Sequence, residues 1–311
     1  MTYYDQTFEP FKIVDGKCVV ADESEWEKLG SLDDQSTFRD EGEPRPIVKV
    51  PDIFKDVEGA VVDNQGRSIH ESYDRRFHWT TIQKVDGRLR KPMQIVDIFT
   101  RFFQTIDSTP HVDYLIVTQY PELLRDKWQY ESETVTKQFI GRPEKHVIEV
   151  KRRCTVMPNV ILATYVETQS DIERLVPELL KCHDLCKGLA VVCNPKEELN
   201  FATVDDGKTR PDEDSLRYTA FGSCIGLVIA EGNEHPIHPQ WLRSLRDQCK
   251  DADVKFNFAS WGDYVPVGQT VKKLPVGDYQ MKTVNDDYYV RVGKENAGRL
   301  LDGQEHNGRI Q

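Results

Sequence analysis

Short apolar and β-branched runs punctuate an otherwise polar chain. They lie at residues 47–54 (IVKVPDIF), 112–118 (VDYLIVT), 160–166 (VILATYV), 189–193 (LAVVC), 225–230 (IGLVIA) and 254–260 (VKFNFAS). Runs of this length, bounded by polar residues, suit strands buried on both faces. Segments of helical spacing lie between them. In residues 94–106, Ile95, Ile98, Phe102 and Ile106 share one face, and Pro92 just precedes the run. Residues 121–130, 170–182 and 239–249 repeat the pattern; in the last, Trp241, Leu242, Leu245 and Cys249 form the apolar stripe. Alternating strands and helices predict a mostly parallel sheet with helices outside. The expected fold class is α/β, a partial TIM-like barrel, because six such units in 311 residues favour a barrel over an open sheet. One domain is expected over residues 1–311, with a barrel core at 47–266 and a C-terminal extension at 267–311 packing on it. Residues 21–46, acidic and without a clear period, read as a surface loop or cover with one short helix at 23–29. Residues 203–217 read as a second long loop.

Charge and cysteine usage narrow the function. With 41 Lys and Arg against 52 Asp and Glu, the net charge is -11. An acidic surface does not favour a nucleic-acid partner, because phosphate neutralisation needs surplus cations. The first residues, MTYYDQTFEP, show no basic and apolar leader, and the longest apolar runs fall far short of the roughly 20 residues of a membrane helix. A soluble, cytoplasmic protein without a membrane partner is expected. Seven cysteines, an odd number without a leader, argue for reduced thiols.

In a parallel barrel the site gathers at the C-terminal strand ends. Those ends place Asp52, Gln119, Glu167, Asn194, Glu231, Asn233 and Trp261 around one mouth. Asp52, Glu167 and Glu231 are candidates for acid–base work or for a divalent cation, since hard cations take oxygen ligands. The competing structural role is to cap the helices that follow. Trp261 is a candidate to stack on a ligand ring, or a core residue. Three weaker groupings stand apart. Cys182, His183, Cys186 and Cys193 resemble part of a zinc site but lack a second spaced pair. His235 and His238 flank Pro236, which bars a regular helix between them. Arg142, Lys145, His146, Lys151, Arg152 and Arg153 read as a solvated charged face. No phosphate-binding glycine loop and no nucleophile elbow occurs.

The C-terminal third carries a more specific series. HPQWLRSLRDQCKDADVKFNFASWGDYVP spans residues 238–266, and RVGKENAGRLLDGQEHN spans 291–307. This resembles the phage gene-product-thirty-seven/sixty-eight family, whose members show a W-V/L-R-S-L/I-R-D-Q-C helix, an F-F-x-x-W-G strand end and a terminal G-R-L-L-D-G. More loosely, residues 51–54 (PDIF), 115–124 (LIVTQYPELL) and 158–169 (PNVILATYVETQ) resemble its upstream segments. The resemblance implies a radical-SAM-like partial barrel of unassigned reaction and of phage or prophage origin, hence host cytoplasm. It also implies an N-terminal three-cysteine motif for an iron–sulfur cluster that binds S-adenosylmethionine. Here only Cys18 precedes Cys154, and such a cluster needs about three thiolates. Family lysine and arginine positions are also replaced, at Gln119, Tyr120 and Ala259. Neither the cluster nor S-adenosylmethionine is therefore expected, and no other cofactor is called for, a divalent metal staying open. Two functional readings follow. One is a pseudoenzyme that binds a host or phage protein or a small nucleotide-like ligand. The other is a cluster-free enzyme using Asp52, Glu167 and Glu231 with a metal on a nucleotide-like substrate, with Trp261 stacking and Arg299 holding phosphate. A structural alternative pairs Arg299 with Asp302, with Gly298 and Gly303 as turn residues.

Overall fold

The computed structural model describes residues 6–14, 17–34, 45–51, 84–85, 88–89, 95–127, 130–138, 145–154, 156–204, 220–269, 281–284 and 287–310. Its centre is a seven-stranded sheet. The strands are β1 (Gln6–Thr7), β2 (Ile47–Val50), β3 (Asp113–Thr118), β4 (Met157–Val166), β5 (Cys186–Cys193), β6 (Ile225–Glu231) and β7 (Lys255–Ser260). Sheet order equals chain order, and every pairing is parallel. The sheet curls into a half-barrel flanked by helices. These are α1 (Glu23–Asp34), α2 (Ile95–Ser108), α3 (Pro121–Lys127), α4 (Gln169–Leu180), α5 (Ala220–Cys224) and α6 (Pro239–Asp251), with the short α7 (Lys294–Ala297) in the extension.

All six expected strands are present, and the sheet gains β1, whose two residues are too few to show a period. It therefore starts at Gln6 rather than at Ile47. The first part of the acidic segment is helical. Asp22 and Glu25 cap α1 reciprocally, the Asp22 amide donating to Glu25 and the Glu25 amide to Asp22 (2.9 and 3.1 Å). Trp26 and Leu29 on its inner face are buried, with Trp26 edge-on to Phe8 at 4.8 Å. The helix is longer than residues 23–29 and works as an outer helix of the barrel.

Period-two alternation splits the strands between two apolar layers. Val48, Val50, Tyr114, Ile116, Leu162, Val191, Cys193 and Val228 face the helices. Ile47, Leu115, Val117, Ile161, Ala163, Ala190, Val192, Leu227 and Ile229 line the concave inside. Ile310 from the tail packs into the N-terminal end of that lining, against Gly188 and Gly226. Two small hairpins, Phe11–Val14 with Lys17–Val20 and Lys84–Val85 with Arg88–Leu89, precede the larger additions among the described residues. Three further pieces decorate the barrel. They are an antiparallel hairpin of Tyr130–Gln138 and Lys145–Cys154, a three-stranded sheet of Tyr264–Pro266, Met281–Val284 and Asp287–Arg291, and a hairpin of Leu300–Leu301 with Gln304–Glu305. The basic run beginning at Lys145 is the second strand of the first hairpin.

Candidate functional site

On the concave face, the apolar lining gives way to polar residues as the strands reach their C-terminal ends. Register sets three of these ends side by side. Val166 pairs with Cys193, and Cys193 with Ala230. Glu167, Asn194 and Glu231 thus occupy adjacent positions in one row. The row is locked by backbone bonds from the Asn194 amide to the Val166 carbonyl (3.0 Å) and from the Lys196 amide to the Glu167 carbonyl (2.9 Å).

Glu231 is 5% exposed. One carboxylate oxygen accepts from Lys49 Nζ (2.5 Å) and the other from Lys294 Nζ (2.9 Å). Burial by itself raises its pKa, but the two ammonium groups outweigh this and hold it below the ordinary carboxylate range. Lys49 projects from β2 and Glu231 from β6, four interstrand steps apart. In a flat sheet that is roughly 19 Å, more than the two side chains span. The contact exists because the sheet curls.

The neighbouring end carries a second network. Glu167 accepts from Lys196 Nζ (2.5 Å), from the Tyr165 hydroxyl (3.1 Å) and from Asn194 Nδ2 (3.4 Å). Asn233 Nδ2 donates to the Tyr165 oxygen (3.2 Å). Burial above all keeps the Tyr165 phenol protonated, well above the ordinary tyrosine range. His235 Nε2 lies 3.9 Å from Glu167, buried and without a hydrogen-bond partner. Asn194 is completely buried; with Nδ2 given to Glu167, its Oδ1 is a buried acceptor without a donor.

The strand-end rule thus brings Glu167, Asn194, Glu231 and Asn233 together. Gln119 sits half-buried at the end of β3. Asp52 lies outside the described residues. Trp261 and Arg299 are placed elsewhere. The Trp261 ring is fully buried, edge-on to Phe258 at 4.9 Å, and its Nε1 donates to the Leu300 carbonyl (3.0 Å). It is a core residue that holds the tail, with no face open to a ligand. Arg299 reaches the Asn307 side chain and the His306 carbonyl. Asp302 pairs instead with Arg243 of α6, through Nε at 3.0 Å and Nη2 at 2.7 Å.

The weaker groupings separate too. Cys182, Cys186 and Cys193 are buried thiols, and His183 pairs with Asp184 outside the core. His238 caps α6, its Nδ1 accepting from the Gln240 amide (3.2 Å), while its Nε2 faces Asp287 (3.2 Å). Among the described residues no three His, Cys, Asp or Glu side chains converge to hold a metal ion. Sequence reasoning missed Lys49 and Lys294. Lys49 stands in phase with Ile47, so a strand lysine on the buried side of the alternation was the available signal. Lys294 offered none, because nothing in a short extension marks where it folds back.

Fold and site together define an α/β half-barrel with a charged, partly buried mouth at its strand ends. The family model described as "Protein of unknown function (DUF5131)" matches residues 90–309, and the chain belongs to that family. No curated protein matches it.

Proposed function

We propose that this chain is a diverged, radical-SAM-like half-barrel of phage or prophage origin that works without an iron–sulfur cluster, as a binding protein for a small nucleotide-like ligand. The observation that carries the reading is the orphan acceptor of Asn194. A buried polar atom left unpaired costs about 1–3 kcal/mol, and folded chains pair nearly all of them. Asn194 is closed to solvent, so the side chains over it must part before an N–H donor on a ligand, such as a nucleobase amide or exocyclic amine, can meet this need at the place where barrels bind. The residues do not fit the cluster that the family resemblance implies, because Cys18 is the one cysteine before Cys154. The metalloenzyme reading has less support. A divalent ion on Glu167 and Glu231 would first have to displace Lys196, Lys49 and Lys294.

Native mass spectrometry of gently purified protein tests this. The expected spectrum shows a small-molecule adduct that is lost in a folded Asn194→Leu variant. A bare chain, or one carrying a stoichiometric partner protein, overturns the small-ligand reading. Several iron atoms per chain overturn the loss of the cluster.

A further inference from the structure

We infer that His235 is a second ligand-contacting residue of the mouth, and that with Asn194 it selects a planar edge on which an N–H stands beside an acceptor, as on a nucleobase or a carboxamide. This rests on the binding reading above and names the part of the ligand that enters. Asn194 Oδ1 and His235 Nε2 are both buried polar atoms without a hydrogen-bond partner. They come from different strand ends, Asn194 directly after β5 and His235 in the segment between β6 and α6. Both side chains border the same atom. Glu167 Oε1 lies 3.4 Å from Asn194 Nδ2 and 3.9 Å from His235 Nε2. The first distance is within hydrogen-bond reach and the second is too long. Folded chains pair nearly all buried polar atoms. Unpaired atoms of this kind on both sides of one carboxylate oxygen point to a bound molecule that completes them.

The two atoms need opposite partners. An amide oxygen only accepts, so Asn194 Oδ1 requires a donor. A neutral imidazole carries one N–H, and the Glu167 carboxylate beside Nε2 draws the proton to that nitrogen. His235 Nε2 is therefore a donor turned inward, and it requires an acceptor. A ring N–H beside a carbonyl, an amine beside a ring nitrogen, or a carboxamide supplies both from one plane. A carboxylate or a phosphate has no N–H and leaves Asn194 unmet. The base of a nucleotide-like ligand is thus the part that enters the buried row. His235 is also the side chain whose movement costs least. Lys196, Tyr165 and Asn194 are each hydrogen-bonded to Glu167, whereas His235 is not. Its side chain is 29% exposed, so turning the ring outward breaks no hydrogen bond of Nε2. The backbone around it is pinned. The Asn233 carbonyl accepts from the Asp263 amide (2.7 Å), Pro236 restricts the chain on the other side, and His238 caps α6. Opening is therefore a rotation of one ring over a fixed loop.

A thermal-shift titration tests this with 9-methyladenine, 1-methyluracil, benzamide and benzoate. His235→Leu, His235→Gln and Asn194→Leu are run beside the unmodified chain. At least one of the three probes that carry an N–H is expected to raise the melting temperature, and benzoate is not. His235→Leu should weaken that binding about tenfold, and His235→Gln, which keeps an N–H, should restore most of it. The ligand-free melting temperature of His235→Leu should not fall, because Nε2 has no hydrogen bond to lose; a clear drop would make the ring structural and overturn the inference. Equal binding of benzoate and benzamide would overturn the selected edge. If binding is lost with Asn194→Leu and ignores His235→Leu, the role of His235 is overturned while the binding site stands. If native spectra carry an adduct that none of the probes replaces, its loss in His235→Leu supports the inference and its persistence there overturns it. If no probe binds and native spectra are bare, both readings fall, and the unpaired atoms are met by water alone.

Discussion

The thiols of Cys182, Cys186, Cys193 and Cys249 lie in the packing between helices and sheet, and burial pushes each pKa up, to about 12 for Cys182 and about 11 for Cys186. The thiolate is the reactive form, so none of the four should react with a disulfide reagent at pH 8 until denaturant is added. Rapid labelling of any of them in the native chain would contradict this burial. Two glycines matter for the opposite reason, because nothing else fits where they stand. A Cβ on Gly232 would lie 2.2 Å from the Trp261 carbonyl oxygen, and one on Gly262, whose φ is +79°, would lie 2.3 Å from that of Asn233. The loops leaving β6 and β7 touch backbone to backbone. Gly232→Ala should therefore cost about 1–3 kcal/mol, measured as a lower urea midpoint. It should also weaken ligand binding, since Glu231 and Asn233 flank the glycine.

At the scale of elements, the hairpin of Leu300–Leu301 and Gln304–Glu305 is a tight two-residue turn. Asp302 (φ 54°) and Gly303 (φ 76°) occupy its centre, as such turns require. Arg243 of α6 anchors it. The guanidinium hydrogen bonds hold the Asp302 carboxyl down to about 2, below the unfolded value near 3.9. A depressed carboxylate contributes stability above its unfolded pKa, and that contribution is lost as pH falls through the folded one. The urea midpoint should therefore drop between about pH 4 and pH 2, and Asp302→Asn should remove that part of the slope. At neutral pH the variant should lose less than about 1 kcal/mol, because both partners are about a third exposed. The same hairpin shows where sequence reading ends. Strand and helix identities were legible because each element repeats its own period, and the strand-end rule then delivered Glu167, Asn194 and Glu231. Pairings between elements were not. Arg299 stands three residues from Asp302, yet Arg243, 59 residues away, takes it. Trp261 follows a strand end and so read as a mouth residue, but Gly262 turns the chain there and Leu300 closes over the indole. Lys49 and Lys294 lie far apart in the chain; the curl of the sheet brings the first to Glu231 and the fold-back of the extension brings the second.

At the scale of the whole molecule, a half-barrel leaves two problems that a closed barrel avoids, edge strands, of which β7 is one, and an open bottom. The C-terminal tail covers the β7 edge and part of the bottom. Its His306–Gly308 stretch runs antiparallel along β7, with the Phe258 amide donating to His306 (3.0 Å) and the Gly308 amide to Phe256 (2.9 Å). Two residues later Ile310 reaches the N-terminal ends of β5 and β6, where added Cβ atoms on Gly188 and Gly226 would stand 3.1 and 3.4 Å from its side chain. The glycines make the hollow and the isoleucine fills it. Ile310→Ala should cost about 2 kcal/mol, the low end for a large aliphatic residue because Ile310 is only partly buried. Removing residues 306–311 should cost more and, unlike the point variant, should also promote self-association by uncovering β7. Urea midpoints and light scattering separate the two effects. Ile310 lies at the end of the barrel opposite Glu167, Asn194 and Glu231. The point variant should therefore keep the small-molecule adduct of the unmodified chain in native mass spectra when both are held well below their melting temperatures. A parallel loss of affinity would mean that the inner apolar layer transmits the packing of the bottom to the row above.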